Sequence, residues 1–243
     1  MEIVSAGISD IGRVRATNQD AIYLDKKKNI FLVADGMGGH SGGEIASTMA
    51  IKHISEFFKS KESHNKDVTT TAIDNANLKI KEFADNDKTL KGMGTTIVSL
   101  TFCEKEAIIG CVGDSRVYLL NNDQLFQLTK DHSMVQEKLN LGRYNREEAA
   151  KDPHKNVLSR TVGYEEGILI DSFSYEYKKG DLFLLCSDGL HGKVSDEDIL
   201  YILKQANENL DDVLIREKVQ ELITQAYKNG GQDNISVILV KIV

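Results

Sequence analysis

Four times along this chain an apolar, strand-forming run meets an aspartate. "FLVA" precedes Asp35, "IIGCVG" precedes Asp114, "LFLLCS" precedes Asp188, and Asp233 stands just ahead of "NISVILV". Each aspartate sits in a polar turn with a glycine close by: "ADGMGG", "VGDSR", "CSDG" and "GGQDN". One such aspartate alone is a turn starter or a helix cap. Four together restrict the fold, because strands of one core bring their ends to a common rim and the carboxylates then converge. Converged carboxylates in a low-dielectric site repel, and must take up protons or bind cations. No cysteine–histidine cluster lies nearby, so the ligands are oxygens, which suit Mg²⁺ or Mn²⁺ better than zinc. Gly36 can add its backbone carbonyl, since the missing side chain lets an ion come close.

The stretch "FLVADGMGGHSGGE" also raises the possibility of a nucleotide cradle, a glycine-rich turn between strand and helix. A dinucleotide fingerprint needs GxGxxG, yet Gly36-x-Gly38 is followed at the sixth place by Ser41. The strand that should follow the helix and end in an acidic residue is replaced by "KSKESHNK", and no GxxxxGK[ST] occurs. The nucleotide reading fails on both counts. A net charge of -7 gives no general attraction to nucleic acid or anionic lipid. Any phosphate must therefore be met by a local arrangement.

The order of elements predicts the fold class. "MEIVSAGIS", "AIYLD" and "NIFLVAD" read as strands, with "KKKN" a solvated turn. Ile45, Met49 and the Ile54/Phe57/Phe58 group then fall at helical spacing, and a second helix places Ile73, Ala76, Ile80 and Phe83 on one face. "TTIVSLTFC", "AIIGCV", "RVYLL" and "QLFQL" return to strand patterns. Residues 130–163 break the rhythm and hold the only proline, Pro153. After "DLFLLCSD" come helical segments near Asp196–Gln205 and Asp211–Tyr227, and "NISVILVKI" closes as a strand. A parallel βαβ sheet would alternate more regularly, so the expectation is mixed or mostly antiparallel sheets flanked by helices.

A chain of 243 residues, 41% hydrophobic and 28% charged, suits one sizeable soluble domain. Cys103, Cys111 and Cys186 lie in apolar runs without a CxxC pair, as free thiols in a reducing compartment do. The N-terminal residues lack the basic start and apolar block of a signal peptide, and no run approaches the ~18 apolar residues of a membrane helix. The expected location is cytoplasmic.

At this point eight blocks match one family in its order: "SDIGRVRATNQD", "VADGMGGHSGGEIAS", "GMGTTIV", "CVGDSRVYLL", "LTKDHS", "LSRTVG", "LCSDGL" and "GGQDNISVILV". The chain resembles the metal-dependent PP2C-type (PPM) protein serine/threonine phosphatases in their compact bacterial form, from Ser9 to Val240. The resemblance implies an α+β fold, a four-layer αββα sandwich of two mostly antiparallel sheets flanked by helices. It implies a single phosphatase domain over 1–243 with a flap-like insertion around 130–163. It also implies two tightly bound Mn²⁺ or Mg²⁺ ions and a weaker third. Carried over by motif, Asp35 bridges the two metals, the Gly36 carbonyl binds one, and Asp188 and Asp233 complete the shell. Asp20 holds metal-bound waters, Asp114 with Asp188 offers the third site, and Arg15 grips the substrate phosphate. Water between two cations gives hydroxide at neutral pH for in-line attack, so no covalent nucleophile is required. The implied partners are phosphorylated proteins and a Ser/Thr kinase whose action is reversed, with no nucleic acid and no membrane, and the chain is expected as a monomer. The competing class is an inactive phosphoprotein-binding adaptor, which would usually have lost a metal aspartate.

Departures from the family pattern matter. Gln19 stands where many relatives have glutamate, removing one negative charge near the metals. Met37 replaces a histidine proposed as general acid in animal enzymes, so the leaving-group proton must come from a metal-bound water or another side chain, with His40 a candidate by proximity. His132 reads as structural, Arg13 as a surface charge, and Arg116 as a residue ordering the Asp114 turn. Asn234 reads as a loop holder that could also orient Asp233.

Overall fold

The computed structural model describes residues 2–145, 148–149, 152–204 and 211–243, apart from the side chain of His40. In chain order the strands are β1 (Ile3–Asp10), β2 (Asp20–Asp25), β3 (Ile30–Met37), β4 (Gly94–Thr95), β5 (Ile97–Cys103) and β6 (Glu106–Val112). They continue with β7 (Arg116–Asn121), β8 (Gln124–Gln127), β9 (Asp171–Glu176), β10 (Leu182–Cys186) and β11 (Ile235–Ile242). The helices are α1 (Gly39–Lys59), α2 (Lys66–Asn86), α3 (Met134–Asn140), α4 (Asp188–His191), α5 (Asp196–Lys204) and α6 (Leu214–Lys228).

Near-continuous apolar runs arise because both faces of these strands are covered. In β3, Phe31 and Val33 join Leu100, Phe183, Ile238 and Val240 in a core between two sheets. The alternate residues Ile30, Leu32 and Ala34 pack instead under α1 and α2. On the other sheet Leu184, Val237 and Leu239 pack with residues of α5 and α6. The result is the expected αββα sandwich. One sheet has the order β1-β11-β10-β7-β8, the other β2-β3-β5-β6-β9, with β4 added to β3. Among the described residues every strand pairing is antiparallel.

The helical stripes follow four-residue spacing. Ala46, Ala50, Ile54 and Phe58 form the buried face of α1. In α2 the face is Ala72, Ile73, Ala76, Ile80 and Ala84. Phe83, expected on that face, is 47% exposed, because the stripe steps from Ile80 to Ala84.

Two departures position the site. Strand β3 does not stop at Asp35: Gly36 and Met37 go on to pair with Thr95 and Gly94. The run read as one strand, "TTIVSLTFC", divides at Thr96. The Thr96 hydroxyl accepts the Asp35 N–H at 2.9 Å, and its own N–H donates to the Asp35 carbonyl at 2.8 Å. The unforeseen β9 pairs with β6, its Phe173 and Tyr175 turned toward the inter-sheet core.

In the described part of residues 130–163, the Ser133 hydroxyl caps α3 by accepting the Gln136 N–H at 3.2 Å. Bridges Ser133–Leu158 and Thr95–Val162 return the segment to the body, and Lys138 pairs with Asp152 at 2.7 Å.

Candidate metal centre and active site

Asp35, Gly36, Asp114, Asp188 and Asp233 line one cavity of about 490 Å³, with Arg15, Gln19, Met37 and Asn234 also in its wall. Their sources differ. Asp35 and Gly36 come from β3, Asp114 from the turn after β6, Asp188 from the first residue of α4, and Asp233 from the turn before β11. Asp20 lies behind the cavity, opposite Asp35 in the β2–β3 register. Its Oδ2 accepts the Ser187 hydroxyl at 2.7 Å, while its buried Oδ1 has no hydrogen-bond partner.

Asp35 is locked by the backbone. Besides its two bonds to Thr96, its carbonyl accepts the Thr95 hydroxyl at 2.9 Å. The Thr96 hydroxyl in turn meets Ser115 at 2.7 Å. Gly36 has a packing reason beyond metal approach: a Cβ there would lie 1.9 Å from the Gly43 carbonyl oxygen of α1. Only glycine lets the strand and the first turn of that helix touch. Gly38 then turns the chain with φ 123°, a value that side chains disfavour.

Crowding raises the carboxyl pKa values. Burial first, then Asp188 and Asp233, push Asp20 up to about 7. Burial, Asp188 and Asp131 push Asp114 up to about 7 as well. Asp35 is raised well above the usual range by burial and by Asp20, Asp188, Asp114 and Asp233. Burial and Asp233 raise Asp188, offset in part by a hydrogen bond to the Asp35 carboxyl. This is a site that lacks positive charge. The donors fit a divalent, oxygen-liganded ion: carboxylates from four elements, an orphaned Asp20 oxygen behind them and a strand carbonyl at Gly36. The ligands are not drawn onto a common point; among the described residues no three acidic, histidine or cysteine side chains make a ready cage.

Arg15 takes part of that negative charge. Its Nε and Nη2 donate to Asp233 Oδ1 and Oδ2, both at 2.8 Å. Asn234 builds the loop that carries it: its Nδ2 donates to the carbonyls of Ile11 at 2.9 Å and Thr17 at 3.0 Å, and its Oδ1 accepts the Gln19 N–H at 2.8 Å. Its own N–H donates to Asp233 Oδ1 at 2.9 Å, so it holds the loop and orients the carboxylate. Gln19 also gives its carbonyl to the Gly36 N–H at 3.0 Å.

The remaining readings resolve individually. His132 is structural: its N–H and Nδ1 hold Gly113, the residue before Asp114, and its carbonyl accepts the Ser159 N–H. Because Nδ1 accepts from Gly113, the ring is neutral with its proton on Nε2 toward Asp171 at 3.1 Å. Burial lowers its pKa accordingly. Arg116 forks onto Asp131 at 2.9 and 2.7 Å, which ties the start of β7, two residues past Asp114, to the chain after β8. Arg13 is more than a surface charge. Its guanidinium lies 4.9 Å above the Tyr227 ring, and Tyr227 hydrogen-bonds Asp10, tying the arginine loop to α6. Met37 lies in the wall, its sulfur 3.8 Å from the Thr161 hydroxyl, and has no proton to give. The His40 side chain lies outside the described residues.

Sequence reasoning missed two residues here, one in the wall and one that holds the Asp114 turn from behind. Asn156 sits in the cavity wall from an irregular turn that carries no pattern. His191 donates to the Asp114 carbonyl at 3.0 Å and is held neutral by burial, its pKa lowered to about 3. Its place directly after "CSDGL" was the available signal.

Comparison with known proteins agrees with this geometry. The family described as Protein phosphatase 2C matches residues 12–227. A Listeria innocua relative, serine/threonine phosphatase Stp, is 39% identical over 241 residues, covering 96% of this chain and 93% of its own. Protein phosphatase PhpP of Streptococcus pneumoniae is 33% identical over 240 residues, covering 96% of this chain and 95% of its own. Among solved structures, the Mycobacterium tuberculosis serine/threonine phosphatase PstP/Ppp superposes with a TM-score of 0.91 at 33% identity, covering 100% of this chain and 99% of that one. A PstP catalytic domain in complex with two manganese ions superposes with a TM-score of 0.86 at 33% identity, covering 99% and 98%. Carboxylates from separate strands and turns around one cavity, an arginine beside them, and matches along nearly the whole length lead to one statement: this chain belongs to the protein phosphatase 2C family.

Proposed function

We propose that this protein is a metal-dependent phosphatase that hydrolyses phosphoserine and phosphothreonine in proteins, reversing a Ser/Thr kinase. The observation that carries the reading is the convergence of Asp35, Asp114, Asp188 and Asp233 on one cavity that Arg15 also lines. Asp35, the Gly36 carbonyl, Asp188 and Asp233 would hold two Mn²⁺ or Mg²⁺ ions, with Asp20 behind them, and Asp114 with Asp188 a weaker third. Bound there, such ions acidify water and neutralise phosphoryl charge.

The protein's own residues do the rest. Arg15, bonded to Asp233 through two parallel N–H groups, carries a fork whose geometry would equally suit two phosphoryl oxygens. Asn234 and Gln19 fix the loop and the Asp233 carboxylate, so the clamp and the ligand share one anchor. Among the described residues no serine, cysteine or histidine lines the cavity, and its aspartates would be taken up by the cations, which favours direct hydrolysis over a phosphoenzyme. All the metal aspartates are present, which disfavours an inactive adaptor.

We assign a single domain over 1–243 and a flap role in substrate choice to the segment around 130–163, a monomeric state and a cytoplasmic location. No described helix is long and apolar enough to cross a membrane. Rapid quench with a radiolabelled phosphopeptide tests the route. Labelled phosphate should appear in solution and none on the protein; a trapped phosphorylated protein would overturn it.

A further inference from the structure

A second cavity, of about 550 Å³, adjoins the first. Both contain Asp114, Asn156, Asp188 and Asp233 in their walls, so one trough continues past the proposed metal centre. Val135, Leu139 and Ala149 supply an apolar side to the second cavity, while Arg116, Lys155 and Lys193 supply cations. The three cations are not equivalent. Arg116 is spent on Asp131 and on the Tyr118 hydroxyl. Lys193 donates to Gln232 Oε1 at 2.5 Å, a neutral partner that fixes the ammonium without cancelling its charge. Lys193 shares the cavity wall with Asp188 and Asp233. Lys155 is exposed, its N–H tied to the Asp152 carbonyl at 3.1 Å. Among the described residues neither lysine makes an ion pair.

We propose that this second cavity is a subsite for an anionic group on the phosphoprotein substrate beside the phosphorylated residue, received by Lys155 and Lys193. The anion is a carboxylate of Asp or Glu, or a second phosphate; the apolar wall takes the methylene stem. The proposal rests on the phosphatase reading above. With Asp131 paired to Arg116, and Asp114, Asp188 and Asp233 assigned to the proposed cations, the ammonium groups of Lys155 and Lys193 in this wall make the trough locally receptive to anions. A monophosphate with neutral flanks uses the first cavity alone.

The test uses a phosphothreonine peptide with alanine flanks, a series placing glutamate at each neighbouring position in turn, and a matching series with phosphoserine. The reading is the ratio of kcat/KM, acidic to alanine peptide, within each protein: wild type, Lys155→Gln, Lys193→Gln, the double variant and Lys155→Glu. Wild type should prefer an anion at one flank by about three- to tenfold, carried by KM and weakened by salt. The ratio should fall toward one in the double variant and below one in Lys155→Glu. Lys155 is exposed, so that variant folds, which a melting curve verifies. A larger ratio for phosphoserine than glutamate identifies phosphate as the source; equal or reversed ratios identify the carboxylate. Turnover of every peptide at one rate, or a preference that survives both lysine changes, overturns the subsite and leaves the phosphatase reading standing. No turnover of any phosphopeptide overturns both.

Discussion

Arg15 and Asp233, 218 positions apart, meet through two parallel hydrogen bonds of 2.8 Å. A residue assigned to phosphate and a residue assigned to metal thus hold each other. The two proposed roles are therefore linked: if Asp233 were to hold a cation, the Arg15 guanidinium would be left for the substrate.

Arg15→Ala should therefore raise KM for phosphopeptides and lower kcat/KM by about 10- to 100-fold, the range of a lost charge-assisted pair. Arg15→Lys should recover only part of this, because an ammonium cannot fork. Steady-state kinetics check it; an unchanged kcat/KM in Arg15→Ala would make Arg15 a partner of Asp233 only.

Asp35 is buried among four other aspartates that raise its pKa. Asp35→Asn should stabilise the metal-free protein by about 1–2 kcal/mol and abolish the rise in Tm on adding Mn²⁺. Calorimetry with and without chelator reads both. A retained Mn²⁺-dependent rise would remove Asp35 from the ligands.

The metal-free protein should also lose stability as pH rises up to and through neutrality. Asp20 and Asp114 titrate near 7 when folded, against 3.8 for an ordinary aspartate. Folded-state values above the unfolded ones mean that the folded state binds the extra protons. This contribution is complete below about pH 4 and is lost as pH rises through 7. His132 and His191 have lowered values and slope the other way, but only below about 6.5. Between pH 6.5 and 8 the Tm of chelated protein should fall, and Asp20→Asn should flatten the slope. A flat or rising wild-type profile would contradict this.

His132 accepts the Gly113 N–H at 3.1 Å through Nδ1. His132→Ala leaves that buried donor unpaired and should cost about 1–3 kcal/mol in urea unfolding. His132→Asn, whose side-chain oxygen can replace Nδ1, should restore part of it. Equal losses in both variants would show that the ring's packing, not the acceptor, matters.

The fold and most of the site were legible because two-sided burial writes long apolar runs and the site interrupts them with aspartates. Strand β3 carried both signals at once: Phe31 and Val33 face one core, Ile30 and Leu32 the other, and Asp35 follows. What stayed hidden depends on contacts distant in sequence. Edge strand β9 has only half-buried inner residues, too weak a pattern to separate from a loop. Arg13 looked like a solvated charge because its partner Tyr227 is 214 positions away (227 − 13). The packing demand at Gly36 comes from Gly43, whose approach no local spacing predicts. The pairing of Arg15 with Asp233 was equally out of reach, although each was named separately.

The most direct measurement is phosphate release from a phosphothreonine peptide by the purified protein, with Mn²⁺, with Mn²⁺ and excess chelator, and for Asp233→Ala with Mn²⁺. Release should occur with Mn²⁺, stop with chelator and be absent in Asp233→Ala. Release that survives chelation, or that survives loss of Asp233, would contradict a reaction built on metal-holding aspartates.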